Sequence, residues 1–179
     1  MAQLTSTQVQ DLLGKGELAG DWVLDQSKSS VLLKTRHTWG LLPLNAAFGE
    51  YGGHGTITAE GGVTGVFTVK ASSLNTRNPQ RDKHLRSADF FDVANHENFT
   101  FTVDSVTPNG KGVQVAGNLT IRDTTRPVSF DATVDGGDGE ATLDAEVPVN
   151  RADYGLTWNK LGIAPMQNTI VIHAVFVRQ

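Results

Sequence analysis

RDKHLRSADFFDVANHENFTF, residues 81–101, is the stretch that decides how the rest of the chain is read. It opens with charged, helix-tolerant residues at Arg81–Arg86, reaches the paired aromatics Phe90 and Phe91, and then settles into a period of two at Phe99, Phe101 and Val103. A polar helical turn that ends in an aromatic corner and feeds an alternating strand is what carries a sheet across one end of a barrel. The spacing therefore predicts a short helical crossover near 80–90, on the lid side of a closed β-barrel.

Working outward toward the C-terminus, Phe99–Val106 is followed by a Pro108-Asn109-Gly110 turn. Val113–Ile121 then places Val113, Val115, Leu119 and Ile121 on one side. Val128–Val134 and Ala141–Val149 are further strands, joined by what reads as a loose turn, DGGDGE. After the long loop NRADYGLTWNKLGIAPMQ comes TIVIHAVFV, Thr169–Val177, apolar on both faces.

Working toward the N-terminus, Val63–Ala71 alternates cleanly behind a Gly61-Gly62 hairpin turn, and Pro79 permits a helix only after it. LNAAFGEYGGHGTITAEGG reads as one glycine-laced strand; Phe48 and Tyr51, three apart in it, face opposite ways unless a bulge intervenes. Ser30–Thr38 sends Val31, Leu33, Thr35 and His37 inward, and Gly20–Asp25 is a brief strand carrying Trp22. Thr5–Leu13 is a short amphipathic helix with Val9, Leu12 and Leu13 on one stripe. Because Thr169–Val177 lacks a polar outer face, that helix is expected to cover it. Should the helix leave Val171–Val177 bare, the exposed edge would favour a homodimer.

The sum is an all-β chain: a single antiparallel up-and-down β-barrel of about eight strands, with the N-terminal helix and linker at 1–19 and the barrel domain at 20–179. At 179 residues it fits one domain, and its formal charge of −4 argues against nucleic acid as a partner. No cysteine is present, so disulfides and thiolate metal sites are excluded. The first 20 residues are polar throughout, without the basic and apolar regions of an export signal, and no apolar run is long enough for a transmembrane segment. The expectation is a cytoplasmic protein.

The inferred inner face reads Val31, Leu33, Phe67, Val69, Phe99, Phe101, Val103, Val115, Leu119, Ile121, Leu143, Ala145 and Val147. Such a set either packs as an ordinary core or surrounds a cavity. Tall strands and the small residues Gly65, Ala71, Gly117 and Ala145 make it hard to fill, favouring an apolar slot for a long ligand with little to hydrogen-bond. The candidate ligand-binding residues are Leu33, His37, Phe48, Phe67, Val69, Phe90, Phe99, Phe101, Val103, Leu119, Ile121, Leu143 and Trp158.

Catalytic signals are weak. His37, His54, His84, His96 and His173 are scattered without a metal-ligand spacing, and neither a nucleophile elbow nor a phosphate loop occurs. No catalytic or metal residue is assigned, and no cofactor beyond a bound lipid. His37 and His173 read as core histidines. Asp82 reads as a cap with Arg81 paired to a carboxylate, and Arg151 with Asp153 as the pair that fixes the loop before Trp158.

These residues carry a resemblance. Trp22 with Ser30-Val31; Lys34 to His37 followed by the Phe48 strand; Arg81-Asp82-x-His84-Leu85 with Ser87 and Asp89-Phe90-Phe91-Asp92; Gly117-x-Leu119-Thr120-Ile121 with Arg126-Pro127-Val128; and Asn150-Arg151-x-Asp153-Tyr154-Gly155 are together similar to the YceI-like family of lipocalin-like polyisoprenoid-binding proteins. The likeness runs from about Trp22 to Val177. It implies a lumen that accepts an isoprenoid chain of the polyprenyl or prenyl-quinone type, and the expected function is non-enzymatic carriage or sequestration of that lipid. His96-Glu97 departs from the aromatic-proline pair usual there, and many members are exported. Two alternatives stand beside carriage: an enzyme that isomerises or cyclises an isoprenoid in the same cavity, requiring His37 or His173 inside the lumen, and a ligand-free structural or stress-response module.

Overall fold

The computed structural model describes residues 2–37, 42–162 and 164–179, with backbone alone for Arg36, His37, Leu42 and Leu161. Its elements are β1 (Ala2–Leu4), α1 (Ser6–Gly14), β2 (Gly20–Leu24), β3 (Ser30–His37), β4 (Leu42–Phe48), β5 (Tyr51–Ile57), β6 (Val63–Lys70), β7 (Leu74–Asn75), α2 (Pro79–Arg86), β8 (Asn98–Asn109), β9 (Gly112–Ile121), β10 (Thr124–Gly137), β11 (Glu140–Asn150) and β12 (Gln167–Arg178).

Alternation of apolar and polar residues makes one face of each strand seek cover, and closing the sheet on itself provides it. β6, β8, β9, β10, β11 and β12 pair antiparallel with their neighbours in that order. The two remaining positions are each occupied by a broken strand. β2 and β3 are separated by a 3-10 turn at Gln26–Lys28, and β4 and β5 by Gly49-Glu50. β5 pairs with β2 and β6, β4 with β3, and β12 closes the ring by pairing with β2 through Phe176–Arg178 and with β3 through Thr169–His173. The interruption is stitched rather than loose: Asp25 N–H donates to the Val175 carbonyl (2.8 Å), and Val175 N–H donates to Ser29 Oγ (2.9 Å). The result is the closed eight-strand up-and-down barrel that the strand periods imply.

The break at Gly49-Glu50 answers the Phe48–Tyr51 question. Phe48 pairs with the buried Val31 and Tyr51 with the buried Val69, so the kink turns both rings inward. Tyr51 stacks on Phe67 at 6.4 Å, and its hydroxyl donates to the Ser29 carbonyl. A second irregularity sits in β8, where the register with β9 shifts between Val103 and Ser105. The extra residue, Asp104, faces out to accept from Asn118 Nδ2 (2.8 Å), which keeps Val106 opposite Val115 on the inner side.

Gly117 shows how tightly β8 and β9 approach. A Cβ there would lie 2.1 Å from the Thr102 carbonyl oxygen and 2.8 Å from Phe101 Cζ. The first neighbour is main chain and cannot swing aside, so Gly117→Ala is expected to lower stability by about 2–3 kcal/mol. Gly52→Ala, with nothing within 4 Å, is the control and should be near neutral. Urea unfolding midpoints of the two variants check this; equal midpoints would contradict it.

The structure departs from the sequence-based expectation in two places. α1 does not lie over the outer face of β12. It packs on β8 and β9 at the end of the barrel away from α2, burying Val9 and Leu13, with Leu13 against Gly61 in the β5–β6 turn. The reason is that inner-face residues of several strands converge at this end, among them Ile57, Val63, Val106, Val113 and Val134. They offer the stripe a wholly apolar partner in one cluster, while Val171 and Val177 on β12 remain half-buried. The helix is held in place from both sides. Thr5 and Gln8 form a reciprocal capping box, β1 pairs with Val134–Gly136 of β10, Trp22 Nε1 donates to the Leu18 carbonyl, and Arg178 reaches the Glu17 carbonyl. The second departure concerns DGGDGE. It is a tight hairpin, since Asp138 and Gly139 alone form the loop, both with positive φ as a two-residue turn demands.

Candidate functional site

α2 forms where Asn78 caps the first turn by accepting from Arg81 N–H (3.1 Å) and Pro79 occupies the first helical position. The helix lies over the barrel end formed by the start of β8 and the end of β6. Arg86 ties it down, donating to the Ser72 and Leu74 carbonyls (2.9 and 2.6 Å). Beneath it opens a cavity of about 430 Å³ that runs down the barrel axis.

Leu33, Phe48, Phe67, Val69, Phe99, Phe101, Val103, Leu119, Ile121 and Leu143 all line the wall of this cavity, and Phe90 and Trp158 line its mouth. The side chain of His37 lies outside the described residues. Sequence reasoning missed Phe130 and Phe176, which also line the lumen. Their signal was available: Phe130 alternates with Val128 and Ala132, and Phe176 with Ala174 and Ile172. It missed the mouth residues Leu85, Phe91, Leu156 and Pro165 because they belong to loops and a helix, where no period of two marks the inner side.

The polar lining residues are Thr35, Arg81, His84, Arg151 and Asn168, and all lie toward the α2 end. Arg151 is buried, and its guanidinium donates to four carbonyls: Pro165 (3.0 Å), Leu156 (2.6 Å), Trp158 (2.9 Å) and Ala164 (3.1 Å). It thereby fixes the loop carrying Trp158, as the sequence suggested. Burial draws its pKa below the usual guanidinium value. Asp153 is not a partner in this; it is exposed, and among the described residues only its carbonyl is used, accepting from Arg126 Nε (3.2 Å).

Asp82 and Arg81 also depart from their expected roles. Asp82 is buried and accepts from both the N–H and the hydroxyl of Thr76 (2.9 and 2.6 Å), so it anchors the strand before α2 while Asn78 does the capping. Arg81 finds no carboxylate among the described residues. It donates through Nε to Thr76 Oγ1 (2.8 Å) and through Nη2 to the Thr76 carbonyl (2.9 Å), leaving Nη1 without a partner among the described residues. His84 contacts Asp89 Oδ2 through Nε2 (3.0 Å) and packs edge-on against Trp158 and Phe90 at 4.4 and 5.3 Å. The Thr35 hydroxyl is buried with no hydrogen-bond partner among the described residues. An orphan hydroxyl on the wall of a cavity is a polar group waiting for an oxygen.

His173 is not a core residue. It sits on the outer face, half-exposed, with Nδ1 2.6 Å from Asp144 Oδ1, so it supplies no acid or base to the lumen. No cluster of three or more metal-ligating side chains occurs among the described residues, and no described helix is long and apolar enough to cross a membrane.

A closed antiparallel barrel with an apolar lumen and a polar rim at one end defines a lipocalin-like architecture. The chain belongs to the YceI-like family, whose domain model matches residues 22–177. A UPF0312 protein of Pectobacterium carotovorum is 36% identical over 118 residues, and Protein YceI of Salmonella arizonae is 35% identical over the same length. The matched region is 63% of this chain, and the chain spans 61% of the length of these relatives. Among solved structures, Burkholderia cenocepacia BcnA superimposes with a TM-score of 0.78 at 21% identity, covering 85% of this chain and 98% of that one. A polyisoprenoid binding domain from Saccharophagus degradans gives 0.70 at 14% identity, covering 88% and 98%. At these identities the two structures speak to the fold.

Proposed function

We propose that the protein binds and carries an isoprenoid lipid, its prenyl chain in the barrel lumen and its oxygen-bearing head, of the prenyl-alcohol, quinone or phosphate kind, at the α2 mouth. One observation carries this: the lumen is apolar along its whole depth except at one end, where Arg81, His84 and the Thr35 hydroxyl, unpartnered among the described residues, lie. A long chain gains affinity by burying apolar surface, at about 25 cal/mol per Å², while the head keeps its hydrogen bonds at the rim. The aromatic set Phe90, Trp158 and His84 then borders the first isoprene unit. The family membership supports the same reading, as does the description of the Saccharophagus degradans domain as polyisoprenoid binding.

The binding is non-catalytic in this reading. Native mass spectrometry of protein purified without added lipid should show a retained mass that fragments as a prenyl compound. Delipidated protein that takes up no prenyl quinone or prenyl alcohol saturably would refute the proposal.

A further inference from the structure

The wall of the lumen does not become polar at its lower end. Below Val115 on β9 comes Val113, and below Ala132 on β10 comes Val134; both face inward, yet neither lines the cavity. These valines close the cavity from below, and packed in one cluster with them are Val9 and Leu13 of α1, exposed by only 4% and 8%. This helix lies outside the span of residues 22–177 matched by the family model. A barrel with these walls and no plug would be a tunnel apolar through its base.

We infer that α1 is a chain-length stop, backing the floor valines so that the lumen is a blind pocket for about three to four isoprene units. The inference rests on the prenyl-binding reading above. Two measures of the pocket agree. A dry apolar cavity of about 150 Å³ holds one benzene, so about 430 Å³ holds roughly 17 carbon atoms. From Val115 to Ile121, the lining span on β9, the wall is about 20 Å long, or about 15 Å along the axis at a strand tilt of about 40°. An extended carbon chain advancing about 1.2 Å per bond fits roughly 12 bonds in that depth, which is three isoprene units. Anything longer leaves its surplus outside the mouth, where it gains little.

The test uses the full chain and four prenyl alcohols: geraniol, farnesol, geranylgeraniol and solanesol, with two, three, four and nine isoprene units. Pairwise competition read by native mass spectrometry gives their affinity ratios. Farnesol should exceed geraniol by about tenfold or more, and solanesol should exceed geranylgeraniol by less than about threefold. A gain of about tenfold or more from geranylgeraniol to solanesol would overturn the stop while leaving lipid carriage intact. Failure of all four to bind would remove both readings.

In Val9→Asp/Leu13→Asp the helix should leave the base, and solanesol should then be favoured over geranylgeraniol by about tenfold. A folded double variant with the wild-type length profile would show that the barrel floor alone sets the limit, and the role given to α1 would fall. If the double variant loses its cooperative melt, Leu13→Ala takes its place. It should lengthen the preferred chain by about one unit, and an unmoved profile would count against α1 in the same way.

Discussion

Arg151→Ala is expected to lower the stability of the folded protein by about 4 kcal/mol or more, out of the roughly 5–15 kcal/mol that holds a domain of this kind together. The side chain is buried and spans the loop between β11 and β12, giving hydrogen bonds to the carbonyls of Leu156, Trp158, Ala164 and Pro165. Each charge-assisted bond contributes about 1.5–3 kcal/mol, and each buried carbonyl left without a donor costs about 1–3 kcal/mol. The contributions do not add in full, because the loop relaxes. Arg151→Lys should recover less than half of the loss, since an ammonium cannot hold four acceptors in the plane of a guanidinium fork. The Arg151 guanidinium also lies 5.5 Å over the Phe90 ring, so the mouth should loosen along with the loop. Urea unfolding is the measurement, and a loss under about 1 kcal/mol would show that the carbonyls find water instead.

Ala145→Phe is expected to abolish prenyl binding, with affinity falling by about hundredfold, equivalent to about 2.7 kcal/mol, while the barrel stays folded. Ala145 is buried at mid-height on β11, paired with Ile172 on one side and Ala132 on the other, and it lines the lumen. A phenyl ring there projects into open space instead of into neighbours, so it fills the cavity at little steric cost and adds buried apolar area. Thermal stability should hold or rise as affinity disappears. The pairing of those two results separates a lumen site from a groove on the outside. Unchanged affinity in a folded Ala145→Phe protein would place the ligand elsewhere.

Much of the barrel was legible because β6 and β8–β11 alternate plainly, and alternation states both the element and its inner face. The lumen wall followed from the same period, which is why Leu33, Phe67, Phe101 and Leu119 were recognisable as wall residues. The mouth was harder to read. Thr76, Asp82 and Arg81 form a network of buried polar groups whose partners are main-chain atoms, and main-chain acceptors leave no mark in a sequence. Arg151 was read as a loop anchor, but the four carbonyls it serves could not be. The docking of α1 is not legible in the sequence for a different reason. An apolar stripe specifies that it must be buried without specifying against what, and the convergence of Val106, Val113 and Val134 at the base exists only once the ring is closed. His173 illustrates the limit of composition: a histidine among valines looks internal until the register shows its neighbours Ile172 and Ala174 taking the inner side.

β12 meets β3 and β2 from the far end of the chain, with Val175 bonded to Ser29 across 146 residues of sequence. With β2 and β3 counted as one broken strand and β4 and β5 as another, every other pairing in the ring joins positions that follow one another in the chain, most of them by hairpins that can zip without waiting. The seam alone must bring the two ends of the domain together, and non-local closure of this sort sets folding times of milliseconds to seconds. During synthesis the lumen therefore does not exist until the last strand has left the ribosome. Until then the nascent protein is an open sheet with two unpaired edges, and it is this short-lived ribbon that is most prone to self-association.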